Sequence, residues 1–360
     1  MIADDVLDKG IARGIISPGQ AMALRDISRE IDTTLVSEPQ DDEKLRFISG
    51  FADIFVTIGI GLFSVAVWYL AGTFGGGAGA LALAAASWLL AEFFTRRRRQ
   101  ALPSIVLLCL FAGSVFWAGL ALGGALFGVE GALSHPNLAF GAEGGEPDGL
   151  WILAAALLTA ILAALHYVRF RVPITIAVGV AALAGALIFG VVSVAPEFMT
   201  AYGSLLIPLV GLAVFALAMR FDMSDPARVT RRTDIAFWLH MLAAPMIVHP
   251  IIAKLVIDRS DMTPATAASV LAIFLVLGIV AVVVDRRALL VSGLAYAGYA
   301  SATIFKTVGL EGQTVPATLL ALGAFILLLS AGWRPVRTGL LKLLPANLAQ
   351  KLPHPILSGP

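Results

Sequence analysis

Nearly unbroken apolar stretches of about 20 residues recur from Phe51 to Trp333, and no other feature of this chain restricts its fold so severely. Coiled as an α-helix at about 1.5 Å per residue, a stretch of that length matches the hydrocarbon core of a bilayer. A soluble core would instead alternate apolar and polar positions along each element. Composition agrees, since 59% of the 360 residues are hydrophobic and 14% are charged, against about 25% charged in soluble domains. The sequence therefore predicts an all-α fold, a polytopic helical membrane bundle of about ten transmembrane spans, with the lipid bilayer as its first partner.

The predicted spans are 51–71, 76–95, 101–128, 150–168, 172–194, 201–220, 235–257, 264–284, 288–306 and 314–333. Numbering the loops alternately from a cytoplasmic N-terminus places Arg96 to Arg99, Arg169, Arg171, Arg220, Arg228, Arg231, Arg232, Arg286, Arg287, Arg334, Arg337, Lys342 and Lys351 inside. Only Lys254, Arg259 and Lys306 fall outside, as the positive-inside bias requires. Adding or deleting one span would scatter these clusters, so the even count and the orientation support each other. The longest outer loop, around 129–149, carries Glu130, Glu143, Glu146 and Asp148 without Lys or Arg. Three regions follow: a cytoplasmic helical pair and acidic linker over 1–46, a transmembrane domain over 47–333, and a cytoplasmic amphipathic tail over 334–360.

A net charge of +1 leaves no global basic field, which argues against nucleic acid as a partner. Cys109 is the single cysteine, so neither an intrachain disulfide nor a Cys-rich metal site is available. In the first 50 residues ten acidic side chains outnumber six basic ones and no apolar run follows a basic segment, so no cleavable signal is expected.

Ahead of the first span, Gly14-Ile15-Ile16-Ser17-Pro18-Gly19-Gln20 reads as a junction of two short helices. Ser17 is a suitable N-cap, Pro18 suits the first helical position, and Gln20 completes a capping box. Val6, Leu7 and Ile11 are expected to pack against Leu24, Ile27 and Ile31 across that turn. So small a unit cannot build a self-sufficient core. It is either a folded leader or an interaction segment that docks on the membrane domain, on a second copy, or on a cytoplasmic protein. The acidic stretch Asp32 to Glu43 reads as a solvated linker. At the far end, Trp333-Arg334-Pro335 is expected to close the last span. Leu340, Leu341, Leu343, Leu344 and Leu348 among basic residues then predict an interfacial helix.

The cluster Gly72-Thr73-Phe74-Gly75-Gly76-Gly77-Ala78-Gly79 lacks the Lys-Ser/Thr ending of a phosphate loop and is read as a turn. In the third span, Gly119, Gly123, Gly124 and Gly128 are expected to permit close helix approach. Asp53 and Glu92 lie near cytoplasmic helix ends and are read as structural.

Ionisable groups inside apolar spans are costly and are the best functional leads. The seventh span holds most of them. On a helical wheel Asp234, Trp238, Pro245 and His249 share one broad face, while His240 points elsewhere. Pro245 is expected to kink the helix and release a carbonyl. In the ninth span Ser292, Tyr296, Tyr299 and Thr303 form one polar stripe that Lys306 extends. These nine residues, with Pro245 aside, are the candidate polar path. The plainer alternatives are that Asp234 caps its helix, that His249 lies near the outer surface, and that the hydroxyls glue helices together. The histidine spacing supports no metal site. No cofactor motif, Gly-x-Ser-x-Gly, His-Glu-x-x-His or paired intramembrane carboxylate appears, so enzymatic activity has no positive support.

The Gly-Ile-Ile-Ser-Pro-x-Gln segment and the multi-span body behind it resemble a bacterial family of predicted multi-pass membrane proteins of unknown function with a short N-terminal helical pair. The resemblance implies a bacterial inner membrane and brings no catalytic residues. On these grounds the sequence reads first as a non-enzymatic membrane component with a cytoplasmic interaction segment. The alternative is a small-molecule or ion transporter using the seventh and ninth spans. A lipid-acting enzyme pairing a histidine with Asp234 ranks third.

Overall fold

The computed structural model describes residues 7–8, 11–26, 51–126, 149–226, 228, 230–257, 263–345 and 352. The chain divides into two compact units, Met1–Leu45 and Arg46–Pro360. The acidic linker, the outer loop over 129–148, Val6, Ile27 and Ile31 lie outside the described residues.

In the first unit the capping box is closed in both directions. The Ser17 N–H donates to Gln20 Oε1 at 2.8 Å, and the Gln20 N–H donates to Ser17 Oγ at 3.2 Å. Gly14 turns the chain with φ +68°, where a side chain would be strained. Leu7 and Ala21 are buried, Ile11 and Leu24 are half-buried, and Arg25 reaches Asp8 at 2.9 Å. Ile15 and Met22 stay outside this packing, 71% and 67% exposed.

Among its described residues the second unit contains ten helices long and apolar enough to cross a membrane. They are α1 (Phe51–Gly72), α2 (Gly76–Ala91, continued by a π-helical segment Glu92–Arg97), α3 (Ala101–Leu126), α4 (Gly149–Phe170) and α5 (Ile174–Val194). There follow α6 (Pro196–Met223), α7 (Arg231–Ile257), α8 (Pro264–Val284), α9 (Ala288–Thr307) and α10 (Thr314–Lys342). Large apolar side chains such as Leu62, Leu165, Leu320 and Leu328 project outward. Such a surface is stable against lipid and not against water. The chain is therefore an all-α, multi-pass integral membrane protein.

Helices adjacent in sequence pack on one another, and α5 ties the first four to the rest through its contacts with α4, α6 and α7. The interior of the second half is organised around α7. Ile235, Leu239 and Ala243, at four-residue spacing, pack with Ala177 of α5 and Val214 and Ala218 of α6. Val248 and Ile252 meet Ala267, Val270 and Ala300 of α8 and α9. Pro245 and Pro250 lie within the unbroken α7, and each removes the N–H that would bond the carbonyl four residues earlier.

Glycines set the closest approaches. A methyl group at Gly119 would lie 2.9 Å from Ala155 Cβ of α4, and one at Gly293 would lie 2.7 Å from the Phe274 ring of α8. Gly119 and Gly123 of the third span thus face α4, while Gly128 is outside the described residues.

The last helix departs from expectation, because it does not stop at Trp333-Arg334-Pro335 but continues to Lys342. Trp333 and Arg337, on either side of Pro335, are both drawn to Asp285, which holds the helix together across the proline.

Candidate functional site

Charged side chains gather where α6 meets α7 and α8 meets α9. Asp222, in the last turn of α6, accepts from Arg286 through both of its oxygens. Arg286 Nη2 donates to Oδ1, and Nε donates to Oδ2 at 3.2 Å. The same Oδ2 lies 2.9 Å from His240 Nε2. All three side chains are sealed, with exposures of 0–1%. An ionised carboxylate only accepts, so the imidazole proton sits on Nε2. Nδ1 is buried with no partner among the described residues. Arg286 Nη2 also donates to the Thr233 carbonyl at 3.2 Å, which fixes the first turn of α7.

A second carboxylate completes the arrangement. Asp285 ends α8 in the left-handed conformation, φ 61° and ψ 48°, which aspartate tolerates better than most residues. Arg228 Nη1 donates to Asp285 Oδ2 at 3.0 Å, and Nη2 donates to the Asp285 carbonyl at 2.9 Å, capping the helix. Trp333 Nε1 donates to Asp285 Oδ1 at 2.6 Å, with Arg337 Nε 3.9 Å away. Asp225 closes the α6–α7 connection by accepting from the Thr230 N–H at 2.8 Å and the Thr230 hydroxyl at 2.6 Å. Together the carboxylates fasten the ends of α6, α7, α8, α9 and α10. In the first half Arg169 forks onto Glu92 at 2.7 and 2.8 Å, linking α4 to the end of α2.

The candidate polar path is distributed over several neighbours. His249 and Tyr296 are brought together, with His249 Nδ1 against the Tyr296 hydroxyl. His249 is exposed at the surface of the bundle, and Tyr296 is eight residues into α9, about 12 Å from its start. His240 turns to α6 and the Asp222 pair. Trp238 is half-buried beside Leu108, Val172 and Ile174, on the α3–α5 side. Asp234 is half-buried in the first turn of α7. Ser292 and Thr303 donate to carbonyls of their own helix, Leu289 and Tyr299. Tyr299 and Lys306 are exposed.

Five residues at the centre of this region, Asp222, Asp225, Arg228, Asp285 and Arg286, escape a search confined to ionisable groups within spans. Their signal is the presence of acids beside arginines in the two connections, Arg220 to Arg228 and Asp285 to Arg287. His166 is also missed. It is 1% exposed and enclosed by Trp88, Phe111 and Phe170, with ring centroids 5.7, 5.5 and 4.5 Å away.

No protein-family model matches this chain, and neither a curated protein nor a solved structure matches it. The geometry alone carries the functional reading. Chemically, the Asp222 group is a buried ion pair with an imidazole bound through Nε2, suited to holding helix ends in one arrangement. The two hollows between α8, α9 and α10 are lined by neither His240 nor His249 nor Tyr296.

Proposed function

We propose that this chain is a non-enzymatic component of a bacterial inner membrane, with both termini in the cytoplasm, that engages a cytoplasmic protein through residues 1–46. The observation that carries the reading is the closed Ser17–Gln20 capping box with Ile15 and Met22 displayed beside it. A rigid turn presenting apolar side chains binds with little ordering cost. The charge clamp is consistent with a platform role, because it holds five helix ends at the arginine-bearing side, where the positive-inside bias favours the cytoplasm. The test places a photocrosslinking residue at Ile15 of the full-length chain in cells. A discrete adduct with a second protein, lost when Met22→Lys is added, is expected. Adducts only with copies of the same chain would replace the partner by a homo-oligomer, and no adduct would remove the reading.

The His249–Tyr296 contact favours a second reading, transport along α7 and α9. Proteoliposomes loaded with a pH-sensitive dye provide its test for protons. A flux that disappears with His249→Ala supports it, and equal flux with and without that substitution removes it.

A further inference from the structure

A groove runs between α8, α9 and α10, made of two apolar hollows of about 230 and 280 Å³. Phe274 of α8 and Phe325 of α10, with ring centroids 5.6 Å apart, line both. The first hollow is walled by Leu290 and Leu294 and the second by Leu271 and Leu322. Each exceeds the roughly 150 Å³ that lets an apolar cavity take up a benzene-sized guest. From Arg287 to Ser301, the limits of the lining on α9, the groove extends about 21 Å at 1.5 Å per residue. That exceeds the roughly 15 Å depth of one leaflet's hydrocarbon, half of a 30 Å core.

The walls are apolar and the charge sits at one end. Arg287 lines the mouth, its guanidinium 5.2 Å from the centre of the Trp333 ring. Tryptophan and arginine at a span end mark headgroup depth. Arg334, next to Trp333, is exposed at the same end. The groove opens sideways to lipid, since the most apolar stretch of α10 carries no buried residue.

We propose that this groove is a binding site for an anionic glycerophospholipid, with one acyl chain along Phe274 and Phe325 and the phosphate at Arg287. The chemistry favours a lipid over other occupants. A free phosphate would leave about 20 Å of apolar wall unused. A zwitterionic lipid would offset the attraction of the arginines with its own cation.

Native mass spectrometry of the full-length protein tests this by titrating phosphatidylglycerol and phosphatidylcholine of identical chains, with glycerol 3-phosphate as a chainless control. Phosphatidylglycerol is expected to bind more tightly. Arg287→Gln is expected to weaken it about five-fold, the equivalent of about 1 kcal/mol for one basic residue at a membrane surface, and to leave phosphatidylcholine unchanged. Leu294→Trp, which fills the first hollow, should weaken both lipids. Ser330→Phe at the mouth serves the same purpose if that variant misfolds. Equal binding of the two lipids by the unsubstituted protein overturns the proposal. So does phosphatidylglycerol binding that neither Arg287→Gln nor a filling substitution changes, or full competition by glycerol 3-phosphate.

Discussion

Asp222 and Arg286, separated by 64 residues in sequence, meet through both carboxylate oxygens with neither side chain reaching solvent. One residue ends the sixth span and the other connects the eighth to the ninth, so their pairing determines how two parts of the bundle face each other. Coulomb attraction is strong in such surroundings, and so is the cost of removing the charges from water. The pair is supported by two further hydrogen bonds, from His240 to Asp222 and from Arg286 to the Thr233 carbonyl.

His240 supplies a hydrogen bond to a charged acceptor, worth about 1.5–3 kcal/mol. His240→Phe keeps the ring packed near Phe215, 5.1 Å away, but removes the donor. The variant is expected to lose stability by that amount in a thermal unfolding series, and His240→Gln, which restores an N–H donor, is expected to lose less.

Asp285 receives three side chains from two elements, Arg228, Trp333 and Arg337. Asp285→Ala removes the carboxylate that Arg228 and Arg337 share, and breaking a buried pair costs about 3–5 kcal/mol. The C-terminal half of α10 should then loosen first. Faster hydrogen exchange over residues 333–342, with α2 and α3 unchanged, would register it. Uniform exchange would show that Asp285 does not anchor α10.

Gly293 faces Phe274 at a distance that admits no methyl group. Gly293→Val is expected to cost about 1–3 kcal/mol through overpacking, whereas Gly113→Ala, where an added carbon meets nothing within 4 Å, should be neutral or slightly stabilising. Melting temperatures of the two variants in one detergent compare them directly.

Ten spans are legible in the sequence because hydropathy summed over a bilayer's thickness does not depend on which helices touch. The Ser17 capping box is legible for a similar reason, since its partners lie three residues apart. Partners distant in sequence are another matter. Arg228, Arg286 and Arg337 read as topology signals, and as loop or tail charges, yet the side chains of all three are buried. Arg231 and Arg232, read in the same way, are exposed. The helical wheel places Trp238 and His249 on one face of α7, but that helix changes neighbours along its length and contains Pro245 and Pro250. Trp238 therefore packs near Val172 while His249 meets Tyr296. The end of α10 is misread because Pro335 is a local stop signal, whereas Asp285 holds the helix on both sides of it.

The most direct test is a double-mutant cycle on the full-length protein, with unfolding free energies for Asp222→Asn, Arg286→Met and the two combined. Each single substitution leaves a buried group without its main partner and is expected to cost about 3–5 kcal/mol. The double variant is expected to be more stable than their sum by at least about 1 kcal/mol, as residues in direct contact require. A double variant whose loss equals that sum within about 0.5 kcal/mol would contradict the clamp as the structure draws it.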